Sequence, residues 1–259
     1  MGKEMPPEEI ADIDQQPETQ EPEERLLVFP DRRLPLDERT TVIHDSFVPM
    51  ASPPNIESAA DLQRQRDELV QTLRAKSFRH FPDPSCSLDT AIDFRWETEN
   101  ESISRVDFTP EEGWRLAANL IVHKDAPTGP RPTLIHFLSG RDDGESSVRR
   151  PLLQRIPQGF AEMGPEWARL VVPLRGVEET AWGDDLAWHV RRGTAVTGRT
   201  VASMRILDAL RTIEAARTLP KVDGENLTLC GEGEMAVVAM YAALLDGNIK
   251  GVVLADPPA

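Results

Sequence analysis

The sequence predicts an α/β fold built on a mostly parallel β-sheet. Two short apolar runs, residues 133–138 (TLIHFL) and 169–174 (RLVVPL), are each followed by a polar residue and a glycine. Runs of this kind are typical of parallel strands that are buried on both faces. A strand–helix–strand pattern then occupies residues 227–255, and such units join parallel strands through a right-handed crossover.

The N-terminal part of the chain has a different character. Residues 1–25 are rich in Glu, Pro and Gln. They cannot bury enough apolar surface to offset the entropy lost on ordering, which predicts a disordered acidic tail. Residues 26–87 are expected to form a strap and a helix. Prolines interrupt the apolar runs up to residue 54, as in an extended strap laid over a domain. Apolar residues at helical spacing over 56–80 predict an amphipathic helix that ends before Pro82.

Residues 88–259 are expected to form the sheet domain. Residues 91–97 (AIDFRWE) alternate, and residues 114–123 (WRLAANLIVH) are extended, which predicts two antiparallel opening strands joined by a polar stretch. A crossover helix is predicted over 200–219, because apolar residues recur on one face between an N-cap at Thr200 and a proline after the last turn.

Composition and charge exclude several classes of partner. The net charge is −15, with 44 acidic against 29 basic residues, so a phosphate backbone is repelled and no nucleic acid is expected. Cys86 and Cys230 support neither a disulfide framework nor a zinc site, and no metal or other cofactor is predicted. No signal peptide and no run of about 20 apolar residues is present, so the given chain is expected to be soluble, without a membrane partner.

The turn after residue 230 is the main candidate site. A Gly-x-Ser-x-Gly nucleophile elbow places its central residue in a strained turn between a strand and a helix. Here the turn is Gly231-Glu232-Gly233-Glu234-Met235, so Gly233 stands at the nucleophile position and Met235 at the last small position. A dinucleotide-binding loop is the other interpretation, but the third glycine is absent and both glutamates would repel a pyrophosphate.

The order of these pieces resembles α/β-hydrolases of the acetyl xylan esterase-like group, which are relatives of prolyl oligopeptidase and dienelactone hydrolase domains. The resemblance rests on RLVVPLRGVEETAW and on the run that contains LTLCGEGEMAVVAM, and it covers about residues 88–259. It implies an α/β-hydrolase-type sheet in which Gly233 aligns with the nucleophilic Ser. It also implies that the loop of Ser139, Gly140 and Arg141 donates a backbone N–H to an oxyanion.

The resemblance also implies what is missing. The Asp and His of the family's triad follow later strands, and the given chain stops at Ala259, before either would occur. A Ser-His-Asp mechanism needs a hydroxyl to attack and an imidazole to take its proton. We therefore expect a chain of ester hydrolase lineage that is non-catalytic as given and that lacks the C-terminal strands, as a fragment would. A partner or a further segment is expected to cover the sheet edge that they would leave open. Members of the family are often secreted.

The loop after the second parallel strand holds the candidates for ligand binding. Trp182, Trp188 and His189 could line the mouth of a cleft, where aromatic rings stack on a sugar or peptide, or they could pack under the loop. The alternative function is thus a binding or scaffold module for an acylated carbohydrate or a peptide. Acidic residues crowd the same loop and the loop after Ser139, and we expect a solvated rim there rather than a cation site. His136, inside an apolar strand, is interpreted as a hydrogen-bonded core residue.

Overall fold

The computed structural model describes residues 21–29, 32–50, 52–83, 85–139 and 163–258. The chain divides into two compact units, Met1–Ile56 and Glu57–Ala259. The described part of the first unit contains a one-turn helix, α1 (Glu23–Leu26), and a 3₁₀ turn at Ile43–Ser46. The second unit contains the sheet and the longer helices.

The second unit begins with helix α2 (Ala59–Lys76), which confirms the predicted N-terminal helix with tighter bounds. The helix starts where it does because the Ser58 hydroxyl oxygen accepts a hydrogen bond from the Asp61 N–H at 3.1 Å. Val70 and Leu73 pack against the core of the unit, while the opposite face is exposed. The helix is thus amphipathic, as its spacing predicts.

The described sheet has seven strands in the order β1-β2-β3-β5-β4-β6-β7. The strands are β1 (Ala91–Glu97), β2 (Glu101–Glu111), β3 (Trp114–His123), β4 (Arg131–Phe137), β5 (Ala168–Val172), β6 (Val222–Glu232) and β7 (Gly251–Ala255). The pairs β4–β5, β4–β6 and β6–β7 are parallel, whereas β1–β2, β2–β3 and β3–β5 are antiparallel. All strands except β1 and β3 therefore run in one direction, which confirms a mostly parallel sheet with antiparallel opening strands.

Strand β2 was not predicted, because residues 99–113 look like a polar connection. The structure pairs β2 with both β1 and β3. Ile103, Val106 and Phe108 are buried, and polar side chains stand between them. Half-buried polar residues separate these three, so the strand shows no clear alternation of apolar and polar residues, and its polar content concealed it. The opening strands therefore number three rather than two.

Three helices complete the second unit: α3 (Gly183–Val196), α4 (Val201–Arg217) and α5 (Glu234–Asp246). Helices α4 and α5 contact each other, and both pack against β6. The core lies at this interface, where Phe137, Leu229 and Ile213 are completely buried. Thr200 caps α4 as predicted, since its hydroxyl oxygen accepts a hydrogen bond from the Ser203 N–H at 3.0 Å.

Within the described residues, β7 is the edge strand of the parallel side. Its Val252 and Leu254 side chains are each 40% exposed, so this edge offers apolar surface to its surroundings. A partner or further segment that covers the edge stays a prediction.

A buried ion pair joins the end of β5 to α4. The Arg175 guanidinium donates hydrogen bonds to both carboxylate oxygens of Asp208, at 2.8 and 2.5 Å, and to Glu111 at 3.1 Å. Burial alone would lower the pKa of Arg175, but the hydrogen bonds and charges of Asp208 and Glu111 raise it above its ordinary value. The guanidinium therefore stays charged inside the protein, and its stability depends on these partners.

We expect Asp208→Asn to lower the free energy of unfolding by about 3–5 kcal/mol, because the Arg175 charge is left buried without its main partner. Urea denaturation of the purified chain measures this loss. The control is Glu97→Gln, which removes an exposed ion pair with Lys124 (2.9 Å) and should cost less than about 1 kcal/mol. Equal losses in the two variants would contradict a special role for the buried pair.

Candidate functional site

The turn between β6 and α5 has the backbone geometry of a nucleophile elbow. Gly233 connects the strand directly to the helix, with φ 57° and ψ −126°. Its N–H donates a hydrogen bond to the Ala255 carbonyl at 2.9 Å, which ties the turn to the end of β7. A positive φ of this kind is unfavourable for a residue with a side chain. The turn therefore has the strand-to-helix geometry that is strained for a residue with a side chain, but its glycine carries no reactive group.

The strand and the helix approach most closely at Gly231. A Cβ atom there would stand 2.2 Å from the Met235 carbonyl oxygen and 2.7 Å from the Ala236 nitrogen, both of them backbone atoms. The space around a Cβ at Gly233 is open by contrast, with no described atom within 4 Å. The Met235 side chain is 1% exposed and is accommodated without separating the helix from the strand. The need for a small residue thus falls on Gly231.

The two glutamates of the turn have different surroundings. Glu234 is the first residue of α5, and its carboxylate accepts a hydrogen bond from Arg205 at 3.0 Å. Arg205 is largely buried, and its Nε also donates to the Arg175 carbonyl at 3.0 Å. Burial lowers the pKa of Arg205, and the charge of Glu234 opposes this shift. Glu232 is the last residue of β6 and is half-buried.

The predicted oxyanion loop begins directly after β4. The Leu138 N–H bonds to the Val172 carbonyl at 3.0 Å, and the next residue, Ser139, is half-buried. Gly140 and Arg141 lie outside the described residues, as do the acidic residues at 142, 143 and 145. An oxyanion-binding role of this loop therefore stays a prediction.

A cavity of about 670 Å³ lies beside the turn, between α3, α4 and α5. Its lining includes Trp182, Arg191, Arg205, Glu234, Tyr241 and Pro258. Gly233 is not among the lining residues, although its neighbour Glu234 is. The cavity therefore adjoins the turn and does not open directly over it.

The structure separates Trp182 from Trp188 and His189, whose ring centroids lie 5.0 Å apart. Trp182 lines the cavity, and its ring stands 2.3 Å from the position that a Cβ on Gly176 would take. Trp188 and His189 are not among the cavity residues. Trp188 is 57% exposed, and the Arg192 guanidinium lies over its ring, 4.4 Å from the ring centroid. The Nδ1 atom of His189 lies 3.1 Å from the carbonyl oxygen of Asp185, in the same helix.

The expected position on a loop was wrong for Trp188 and His189, because residues 183–196 form α3, whereas Trp182 directly precedes this helix. The charged start of this helix and its glycine and threonine residues hide the helical pattern. The cavity residues Arg191, Arg205 and Tyr241 were missed altogether. Arg205 gives one local signal: a charged residue that follows Val201 and Ala202 on the same helical face.

The buried His136 and Cys230 have pKa values shifted away from reactivity. His136 is 3% exposed in β4, its Nδ1 has no hydrogen-bond partner among the described residues, and burial lowers its pKa to about 4. Burial raises the pKa of the Cys230 thiol to about 11, with a smaller contribution from Glu232. Both are therefore neutral near pH 7, as core residues are.

Other kinds of site can be assessed over the described residues alone. His, Cys, Asp and Glu side chains there nowhere form a group of three that could hold a metal ion. Every helix in the same ranges is too short or too polar to span a lipid bilayer.

The strand order and the strand-to-helix turn after β6 are those of an α/β-hydrolase fold. Comparison with solved structures supports this class. A protein assigned as an acetyl xylan esterase from Bacteroides fragilis matches with a TM-score of 0.58 and 12% identity, over 75% of this chain and 53% of its own. A glucuronoyl esterase from Solibacter usitatus matches with a TM-score of 0.54 and 14% identity, over 80% of this chain and 64% of its own.

A glucuronoyl esterase from Teredinibacter turnerae also matches, with a TM-score of 0.50 and 14% identity, over 78% of this chain and 53% of its own. The chain thus spans less than two thirds of the length of each of these structures. No protein-family model and no curated protein matches the sequence. At such low sequence identities, the structural matches establish a shared fold and nothing finer. The predicted resemblance to esterases is therefore confirmed as a resemblance in fold.

The two glycines of the turn should respond differently to alanine. Gly231→Ala should cost about 3 kcal/mol of unfolding free energy, because its Cβ meets backbone that cannot move aside. Gly233→Ala should cost about 1 kcal/mol, because only the unfavourable φ opposes it. Thermal and urea denaturation of both variants measure the difference. A larger loss at Gly233 would contradict the close approach at Gly231.

The stability of the chain should fall in acid through His136. Its folded pKa, about 4, lies below the value of 6.5 for a free histidine, so the unfolded state takes up the proton first. The stability that His136 provides is therefore complete above pH 6.5 and is lost as the pH falls towards 4, by about 3 kcal/mol. Urea denaturation at several pH values should show a flatter profile for His136→Leu, with the exposed His189→Gln as control. Parallel profiles of wild type and His136→Leu would refute this.

Proposed function

We propose that this chain is a ligand-binding protein of carboxylic ester hydrolase lineage that does not catalyse acyl transfer at its strand–helix turn. The observation that carries the proposal is Gly233, which holds the backbone geometry of an elbow without a side chain. Covalent acyl transfer needs a nucleophilic atom at this position, and glycine offers none.

The neighbouring Glu234 does not replace a missing nucleophile. Its carboxylate is paired with Arg205 and is 75% exposed, so it is stabilised as an anion by both a cation and water. A carboxylate in these surroundings is a weak nucleophile towards an ester. The arrangement is that of a surface ion pair at a helix start, where negative charge is favoured.

Binding is supported by the cavity that remains beside the turn. Its volume of about 670 Å³ lies within the range of small-molecule sites, roughly 300–1,000 Å³. Trp182 in its wall favours a ligand with a face that stacks on an aromatic ring, such as a sugar or a peptide side chain. The esterase names of the structural neighbours support the lineage, and a carbohydrate ligand for this chain is part of the proposal.

Labelling with a fluorophosphonate probe tests the absence of serine-type catalysis. We expect the chain to show no stoichiometric labelling and no hydrolysis of an activated acetyl ester above that of its Gly233→Ala variant, because neither protein has a nucleophile in the turn. An established serine esterase serves as the positive control for the probe. Stoichiometric labelling at any residue of the wild-type chain, located by mass spectrometry, would refute the proposal.

A further inference from the structure

The cavity beside the turn combines apolar walls with charged groups. Most of the lining residues are apolar or aromatic, and the charged ones are Arg191, Arg205 and Glu234. Apolar walls with a few polar groups are typical of sites that bind an amphipathic small molecule. The charged groups then determine which kind of polar head group a ligand in the cavity can have.

Positive charge is in excess in this lining. Glu234 is the one carboxylate against two guanidinium groups, and with 75% of its side chain exposed much of its charge is screened by water. Arg205 is 13% exposed, and its hydrogen bonds to the Arg175 carbonyl and to Glu234 hold it in place. A fixed, poorly hydrated guanidinium binds a carboxylate strongly.

The helices around the cavity contribute the same sign of potential. Gly183, Val201 and Glu234 are the first residues of α3, α4 and α5, and all three line the cavity. The N-terminal end of a helix carries a partial positive charge. The sign of the charge at the cavity is thus opposite to the net charge of the chain, which is −15.

We propose that this cavity binds a small monocarboxylate with an apolar or aromatic body, the carboxylate at Arg205 and Arg191 and the body between Trp182 and Tyr241. A single negative charge matches the excess in the lining, whereas Glu234 disfavours a dianion. This inference deepens the proposed function and rests on its binding role, because a carboxylate is retained in the cavity without being turned over.

Calorimetric titration of the full chain with phenylacetate and with its neutral isostere phenylacetamide tests the charge preference. Phenylacetate should bind at least about tenfold more tightly, because only its head group forms charge-assisted hydrogen bonds with a guanidinium. Added salt should weaken phenylacetate and leave phenylacetamide unchanged. Equal affinities, or no heat of binding for phenylacetate at millimolar concentration, would overturn the proposal.

Single substitutions locate the site. Glu234→Gln removes the carboxylate that competes for Arg205, so phenylacetate should bind about threefold or more tightly, while Arg191→Gln should weaken it by a similar factor. Both positions are exposed, so these variants are expected to fold. Glu68→Gln, at an exposed position of α2, removes the same charge away from the cavity and should change nothing. An unchanged affinity in Glu234→Gln and Arg191→Gln would place the ligand elsewhere and refute the site.

Methyl phenylacetate separates this inference from the proposed function. If the wild-type chain hydrolyses the methyl ester, the absence of catalysis is refuted, while the preference for the carboxylate can still stand. If the ester is not hydrolysed and phenylacetate binds no better than the amide, the proposed function survives and the carboxylate site fails.

Discussion

The arrangement of the site depends on the hydrogen bonds of the buried residue Arg175. Its guanidinium binds Asp208 on α4 and Glu111 at the end of β2, and its carbonyl accepts the hydrogen bond from Arg205. Arg205 in turn binds Glu234 at the start of α5. One buried residue therefore connects the opening strands, the end of β5 and both helices of the core. Because a buried charge that loses its partner costs several kcal/mol, the contact of Arg175 with Asp208 opposes a shift of α4 away from the end of β5.

The strand–helix turn and the cavity beside it depend on different contacts. The turn is set locally, by the contact of Gly231 with the backbone of α5. The cavity is set by the packing of α3, α4 and α5, and its wall contains Trp182 just before α3, Arg205 on α4 and Tyr241 on α5. Gly233 does not line the cavity, so the residue at position 233 and the wall of the cavity can vary independently. A fold of this kind can therefore carry different functional groups at the two places.

The sequence predicts those elements whose pattern is local. β1 and β3 have the bounds that alternation and an apolar run indicate, and Thr200 caps α4 where its position suggests. The sequence does not predict β2 and α3, because half-exposed elements contain too many polar residues to show a clear periodicity of apolar residues. Of the site, the turn is visible in the sequence, since it depends on consecutive residues. Arg191 and Tyr241 are not, because they meet only when separate helices pack around one cavity.

Glycine at position 233 also changes the energetics of the turn. A residue with a side chain held at a positive φ costs about 1–3 kcal/mol, and enzymes retain such strain where it positions a catalytic group. Glycine adopts φ 57° without the clash of a Cβ, so the same turn forms here without that strain. The elbow geometry is therefore maintained by its ties to Ala255 and α5, and no catalytic role is needed to explain it. The shape of the backbone thus identifies the fold, whereas an activity would depend on the side chains that the turn carries.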